Sequence, residues 1–443
     1  MSSKRFYNAH LHCFTYDHVP EYFLSRLAGV SRLLKWGWLQ NNIKKGVEEG
    51  KISWVVKTLV FILHYFFLIN KKIILRYFNF FRYGDQDSQE KIIELVQQYY
   101  PKHTGFILLT MDMEYMGAGR PKKVFREQLS QLEEIKIKPQ WNNKLFPFIF
   151  CDPRRIKPTH KREIGIENEF IGEAFLQAVK QYVEAGTYSG IKIYPALGYY
   201  PFDQRMKDVY DLALSLDLPV LTHCTIGAVH FKYELDKEEY YHPFLKTYLP
   251  KQKPAKFQEF FTHPLNFECL LNHDLLKQVW GNDAPDYSQL KICIAHWGTE
   301  EEWHLFLENP WVQTKLNKPT GEYPSLELVN WNIEKKEDSQ YVSWFSIISD
   351  LITKYPNVYT DISYTLNDTS LLPLLKMTLE ANEKIRERVL FGTDFYMVSK
   401  AISEREFAIN VRAALGKELF EQIAITNTER FLSNKLYPMP LEW

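Results

Sequence analysis

Phe6-Tyr-Asn-Ala-His-Leu-His12 is a short apolar run carrying two histidines at alternate positions, and on a β-strand alternate side chains share one face. Seven further runs follow the same plan: Gly105-Phe-Ile-Leu-Leu-Thr-Met-Asp112, Phe146-Pro-Phe-Ile-Phe-Cys-Asp152, Gly190-Ile-Lys-Ile-Tyr194, Pro219-Val-Leu-Thr-His223, Leu290-Lys-Ile-Cys-Ile-Ala-His296, Asn357-Val-Tyr-Thr-Asp361 and Arg388-Val-Leu-Phe-Gly-Thr-Asp394. Each is bounded by polar or Pro/Gly punctuation and ends on a polar or titratable residue, while the longer stretches between carry helical periodicity. Such runs read as buried parallel strands. Chemistry-bearing residues at the C-terminal ends of the whole set, rather than at a single switch point, predict a closed (β/α)8 TIM barrel over an open doubly wound sheet. No GxGxxG follows the first run, which removes the commonest motif of the open alternative.

The chain has 443 residues, and a minimal barrel takes about 250. The excess is expected as insertions at approximately 14–103, 225–289 and 299–355, all leaving strand C-termini and forming helical lids on one domain spanning 1–443. With 54 Lys+Arg against 54 Asp+Glu and 45% apolar residues, the composition is globular and offers no basic footprint for nucleic acid. A small-molecule substrate is the expected partner. Five cysteines without a CxxC pair point to a reducing, cytoplasmic location, and no signal peptide is visible at the N-terminus. The apolar segment Trp54–Ile69 is shorter than the roughly 20 residues of a spanning helix. It is expected to pack as part of the lid or as a subunit contact in a homodimer, with no membrane span.

His10 and His12 should face inward at the barrel mouth, and His223, His296 and Asp394 fall at the same level of other strands. Neutral imidazoles with a carboxylate and an open position suit a catalytic divalent ion, zinc (Zn2+) above all.

The sequence resembles the amidohydrolase superfamily, specifically the amidohydrolase-related branch that includes aminocarboxymuconate-semialdehyde decarboxylase, ring-acid decarboxylases and lactone hydrolases. The motifs are Asn8-Ala-His-Leu-His12, Asp152-Pro-Arg-Arg155, Gly190-Ile-Lys-Ile-Tyr-Pro-Ala-Leu-Gly198, Leu221-Thr-His-Cys224, Ile294-Ala-His-Trp-Gly298, Tyr359-Thr-Asp-Ile-Ser363, Phe391-Gly-Thr-Asp394 and Thr426-Asn427. The resemblance implies that His10, His12, His223 and Asp394 hold one metal and that His296 stands beside the metal-bound water. Binuclear relatives bridge two metals with a carboxylated lysine from the fourth strand, where Lys192 lies. Lys192 sits two residues short of the strand end, so it is expected instead to be satisfied by carboxylates such as Asp152, leaving a single metal.

Zinc lowers the pKa of bound water toward about 7; Asp394 would then act as general base and acid, and His296 would donate to a developing oxyanion. Substrate selection is expected from Arg120, Arg154, Tyr194, Trp297 and lid residues, while His263 either faces the site or caps a lid helix. Cys13 and Cys224 each follow a ligand position by one residue and should point away. The expected activity is hydrolysis of a small ester, lactone or amide. A non-oxidative decarboxylase of an aromatic or unsaturated acid is the alternative, and a non-catalytic scaffold or membrane-docking barrel is the reading from another class.

Overall fold

The structure, a computed structural model, describes residues 5–21, 23, 84, 86–158, 169–225, 237–244, 246–248, 259–308, 342–398 and 403–439. Each expected run contains a strand: β1 (Tyr7–Leu11), β2 (Gly105–Leu109), β3 (Leu145–Phe150), β4 (Gly190–Ile193), β5 (Val220–Thr222), β6 (Ile292–Ile294), β7 (Val358–Asp361) and β8 (Val389–Leu390). They pair in parallel in chain order. The sheet closes on itself where Ala9 N donates to Phe391 O at 2.8 Å and Asp394 N donates to His10 O at 2.9 Å. This is a (β/α)8 barrel. Most strands stop just short of the polar residue that ends the run, because there the chain turns out of the ladder into the mouth.

Every connection carries a helix before the next strand, and the last strand is followed by one: Gln89–Gln97, Phe125–Lys136, Gly172–Glu184, Lys207–Leu216, Leu265–Leu271 with His273–Trp280, Trp344–Lys354, Leu372–Ala381 and Glu404–Glu421. Their starts follow local chemistry. Ser88, Ser343 and Ser403 accept the backbone N–H of Lys91, Ser346 and Glu406, and Asn272 accepts those of Asp274 and Leu275, satisfying donors that a helix N-terminus otherwise leaves unpaired. The stretches expected as insertions therefore each include a barrel helix near their C-terminal ends. The segment Trp54–Ile69 lies outside the described residues. Among the described residues no helix is long and apolar enough to cross a membrane.

Strand alternation divides the apolar side chains into two sets. Tyr7, Ala9, Ile107, Leu109, Phe146, Phe148, Leu221, Cys293, Tyr359 and Leu390 fill the barrel interior, while Phe106, Leu108, Ile191, Val220, Ile292 and Val358 belong to the larger cluster beneath the helices. Unbroken alternation from Tyr7 and Ala9 would send His10 and His12 outward. A register shift in the β1–β2 pairing between Asn8 and Leu11 reverses the phase; Leu11 joins the outer cluster and both histidines turn inward. On the opposite side of the seam, a Cβ at Gly392 would lie 2.7 Å from His10 Cβ and 3.2 Å from His10 N. Only glycine lets β8 approach this closely.

Outside the mouth, burial pushes the His242 and His263 imidazoles down to about 4 and about 3. Both are neutral when folded but take up protons below the ordinary value of 6.5 once unfolded. The folded state then binds fewer protons, so these groups' contribution to stability is complete above pH 6.5 and is lost as pH falls toward 3–4. Urea unfolding at pH 7 and pH 5 should show a smaller acid loss for His263→Asn than for the wild type; equal losses would remove His263 from the account. Gly392→Ala should cost about 1–3 kcal/mol in the same assay through overpacking against His10, and unchanged stability would contradict the close approach.

Candidate metal centre

Partners on one ring nitrogen determine what the other can do. His10 Nδ1 lies 2.8 Å from Asp361 Oδ2. The ionised carboxylate only accepts, so Nδ1 carries the hydrogen and Nε2 keeps its lone pair. That Nε2 is buried with no hydrogen-bond partner. His12 Nδ1 donates to Leu109 O at 3.0 Å, again leaving Nε2 as the bare nitrogen. His296 Nδ1 is 2.8 Å from Ser363 Oγ and 3.2 Å from Ser363 O; the carbonyl can only accept, so His296 also presents an Nε2 lone pair. It faces His223 Nδ1 at 3.1 Å, while His223 Nε2 is 2.9 Å from Thr225 Oγ1. Two ring nitrogens this close need a proton or a cation between them. Two imidazoles on one tetrahedral zinc, with bonds of about 2.0–2.1 Å, hold their nitrogens about 3.3 Å apart.

Donor atoms of His10, His296 and Asp394 all lie within 4.8 Å of one another, and the three residues are buried. His12 and His223 stand beside this group, with ring centroids 5.5 Å from His10 and 5.0 Å from His296 respectively. The inner set thus differs from His10, His12, His223 and Asp394, because a left-handed backbone at His296 (φ 68°) turns its ring inward where alternation after Ala295 would turn it out. Trp297, Thr299, Tyr364 and Asp394 also have positive φ. Such conformations persist in non-glycine residues only where surrounding contacts enforce them, and here they gather at the ends of β6, β7 and β8.

The electrostatics suit a cation. Burial, with the neighbouring imidazoles and Lys192, holds His12 and His223 well below the ordinary histidine range and His296 down to about 3. All three are neutral at pH 7, the state in which imidazole ligates metal. Burial alone would raise the Asp361 carboxyl, but His10, His296 and the Ser363 hydroxyl hold it below the ordinary carboxylate range. It also accepts His296 N at 3.0 Å and Ser363 N at 3.1 Å. Asp361 was visible as the end of the seventh run, but sequence reasoning gave it no role, and Ser363 carried no signal beyond its place in a motif.

Other expected site residues are placed differently. Tyr194 stacks on His223 with centroids 4.2 Å apart and lines the site. Arg154 is buried and engages Asp152 through Nε at 2.8 Å and Nη2 at 2.7 Å, a bidentate pair. Asp152 therefore does not satisfy Lys192, whose Nζ is buried without a hydrogen-bond partner. Trp297 has no exposed surface, stacks on Phe345 and donates Nε1 to Ser349 Oγ at 3.0 Å; it packs in the core behind the mouth because the turn that brings His296 in sends its neighbour out. Arg120 is exposed. His263 Nδ1 accepts Leu265 N at 3.3 Å, at the start of a helix. All five cysteines are free and buried, and Cys224 Sγ contacts Thr262 O at 3.1 Å.

No family model matches the chain, and no curated protein matches its sequence. Among solved structures, an uncharacterized TIM-barrel protein from Bordetella bronchiseptica is similar at 12% identity and TM-score 0.40, covering 77% of this chain and 82% of that one. IDCase from Metarhizium anisopliae, in apo form, shows 12% identity and TM-score 0.38 over 77% and 78% of the two chains. An amidohydrolase from Mycobacterium avium subsp. paratuberculosis K-10 shows 10% identity and TM-score 0.38 over 78% and 73%. The fold assignment rests on the strand order and closure described above.

Asp361→Asn should weaken divalent-ion binding at this cluster about 10- to 100-fold by removing the charge that orients His10, with Ser363→Ala weakening it less. Competition titration against a chelating dye measures both, and unchanged affinity in Asp361→Asn would show that this carboxylate does not orient the donors.

Proposed function

We propose that this chain is a metal-dependent enzyme of the amidohydrolase type, acting as a hydrolase on a small ester, lactone or amide. The observation that carries the reading is the convergence of His10, His296 and Asp394 donor atoms at the C-terminal mouth of the barrel, with the bare His10 Nε2 buried among them. Active sites of this fold lie at that end.

His10, His296 and Asp394, with His12 and His223 alongside, would hold the ion, and the donor chemistry suits zinc. A divalent ion bound there supplies Lewis acidity and lowers the pKa of a coordinated water. The protein's own groups do the rest. Asp394 can take a proton at its carboxylate and return it to a leaving group. His296 keeps its hydrogen on Nδ1, pinned by Ser363, so its Nε2 accepts; the expected donation to an oxyanion is not open to the neutral ring in this tautomer. Tyr194, stacked on His223, holds that ring in orientation and lines the approach to it.

Protein purified without chelator should contain one divalent ion per chain by elemental analysis, and absence of any ion would sink the proposal. Asp394→Asn and His296→Ala should each lower kcat roughly 100-fold or more with little change in KM, with metal content checked in parallel because both residues are also candidate ligands. Screening esters and lactones beside aromatic and unsaturated acids separates the two chemistries: carbon dioxide release without hydrolysis would assign the decarboxylase.

A further inference from the structure

We infer that the Lys192 ammonium is a built-in cation that occupies the electrostatic place of a second divalent ion and restricts the mouth to one. This rests on the metal reading above. Lys192 lies on β4 between Ile191 and Ile193, which both belong to the outer cluster, so its side chain points into the barrel. It has no exposed surface, and its Nζ has no hydrogen-bond partner. An unpaired buried amine is costly.

The other acids near this level are already matched: Asp152 by Arg154, and Asp112 by Arg155 at 2.7 Å. Burial pulls the Lys192 amine down to about 8, still protonated at pH 7, and the opposite charges that hold it up are Asp361 and Asp394. Its Nζ lies 5.5 Å from the centroid of the Tyr194 ring, which itself stacks on His223, and its charge acts on the His223 ring. The mouth holds four imidazoles and two carboxylates in His10, His12, His223, His296, Asp361 and Asp394, a large donor set for one ion. Charge sets the limit. Two carboxylates and one ammonium leave a net charge of about −1; one divalent ion brings it to about +1, and a second would bring it to about +3 in a buried site where like charges repel strongly.

The test is a zinc titration by calorimetry with metal content by mass spectrometry, on wild type, Lys192→Met and Lys192→Arg, with and without bicarbonate. The wild type and Lys192→Arg should take up one ion in both conditions. Lys192→Met, an apolar side chain of similar length, should bind the first ion about tenfold tighter or accept a second. Unchanged or weaker binding of a single ion by folded Lys192→Met would overturn the inference, with Lys192→Gln as the substitute should the methionine variant not fold. A second ion in wild type on adding bicarbonate would overturn it too, since the amine would then be supplying a ligand. Wild-type protein that takes up no ion would overturn the metal reading itself, and the inference with it.

Discussion

The two backbone hydrogen bonds from Ala9 to Phe391 and from Asp394 to His10 join the first strand to the last, and the mouth depends on that seam. It brings residues more than 380 positions apart in the numbering, His10 and Asp394, into one donor group. The seam also tolerates little side-chain volume, because His10 Cβ and N lie against Gly392. Closure leaves no unpaired strand edge, so the barrel can present strained and polar residues at one end while its apolar interior supplies the stability.

Around the seam, polar groups are arranged so that each imidazole is held by one ring nitrogen and aimed by the other. Asp361 fixes His10, Leu109 O fixes His12, Ser363 fixes His296 and Thr225 holds His223. Each partner occupies one ring nitrogen and thereby assigns the other to the mouth. This division explains why buried histidines with depressed pKa values and an ionised Asp361 coexist in a small volume: the charge is concentrated where the rings need orienting, and Lys192 balances it.

A second polar cluster packs outside the barrel at the same seam. Glu404 accepts from Thr393 Oγ1 at 2.7 Å and Asn8 Nδ2 at 3.3 Å, and also from the Tyr100 hydroxyl. Asn8 Oδ1 in turn accepts His10 N and Thr393 N, each at 3.2 Å. The neutral amide at position 8 suits this role, since its Nδ2 donates to Thr393 Oγ1 at 2.8 Å as well as to Glu404 and Tyr100, while its Oδ1 accepts from two backbone N–H groups. Burial pushes the Glu404 carboxyl up to about 7, which lowers the repulsion it would exert on Asp394.

The strands, their order and the end of the barrel that carries chemistry were legible in the sequence because apolar runs and their polar termini are local patterns. His12, His223, His296 and Asp394 were visible as the ends of runs, with His10 two residues before the first of these, and the structure gathers them at one end of the barrel. The pairing of Arg154 with Asp152, the burial of Trp297 and the isolation of Lys192 were not, because they depend on which neighbours a side chain meets across strands. The decisive step was also tertiary. Simple alternation would have turned His10 and His12 away from the interior and His296 out of the mouth; a register shift in β1 and a left-handed residue after β6 reverse both. Neither leaves a mark in residue order, because each is a backbone distortion held in place only by contacts with other strands.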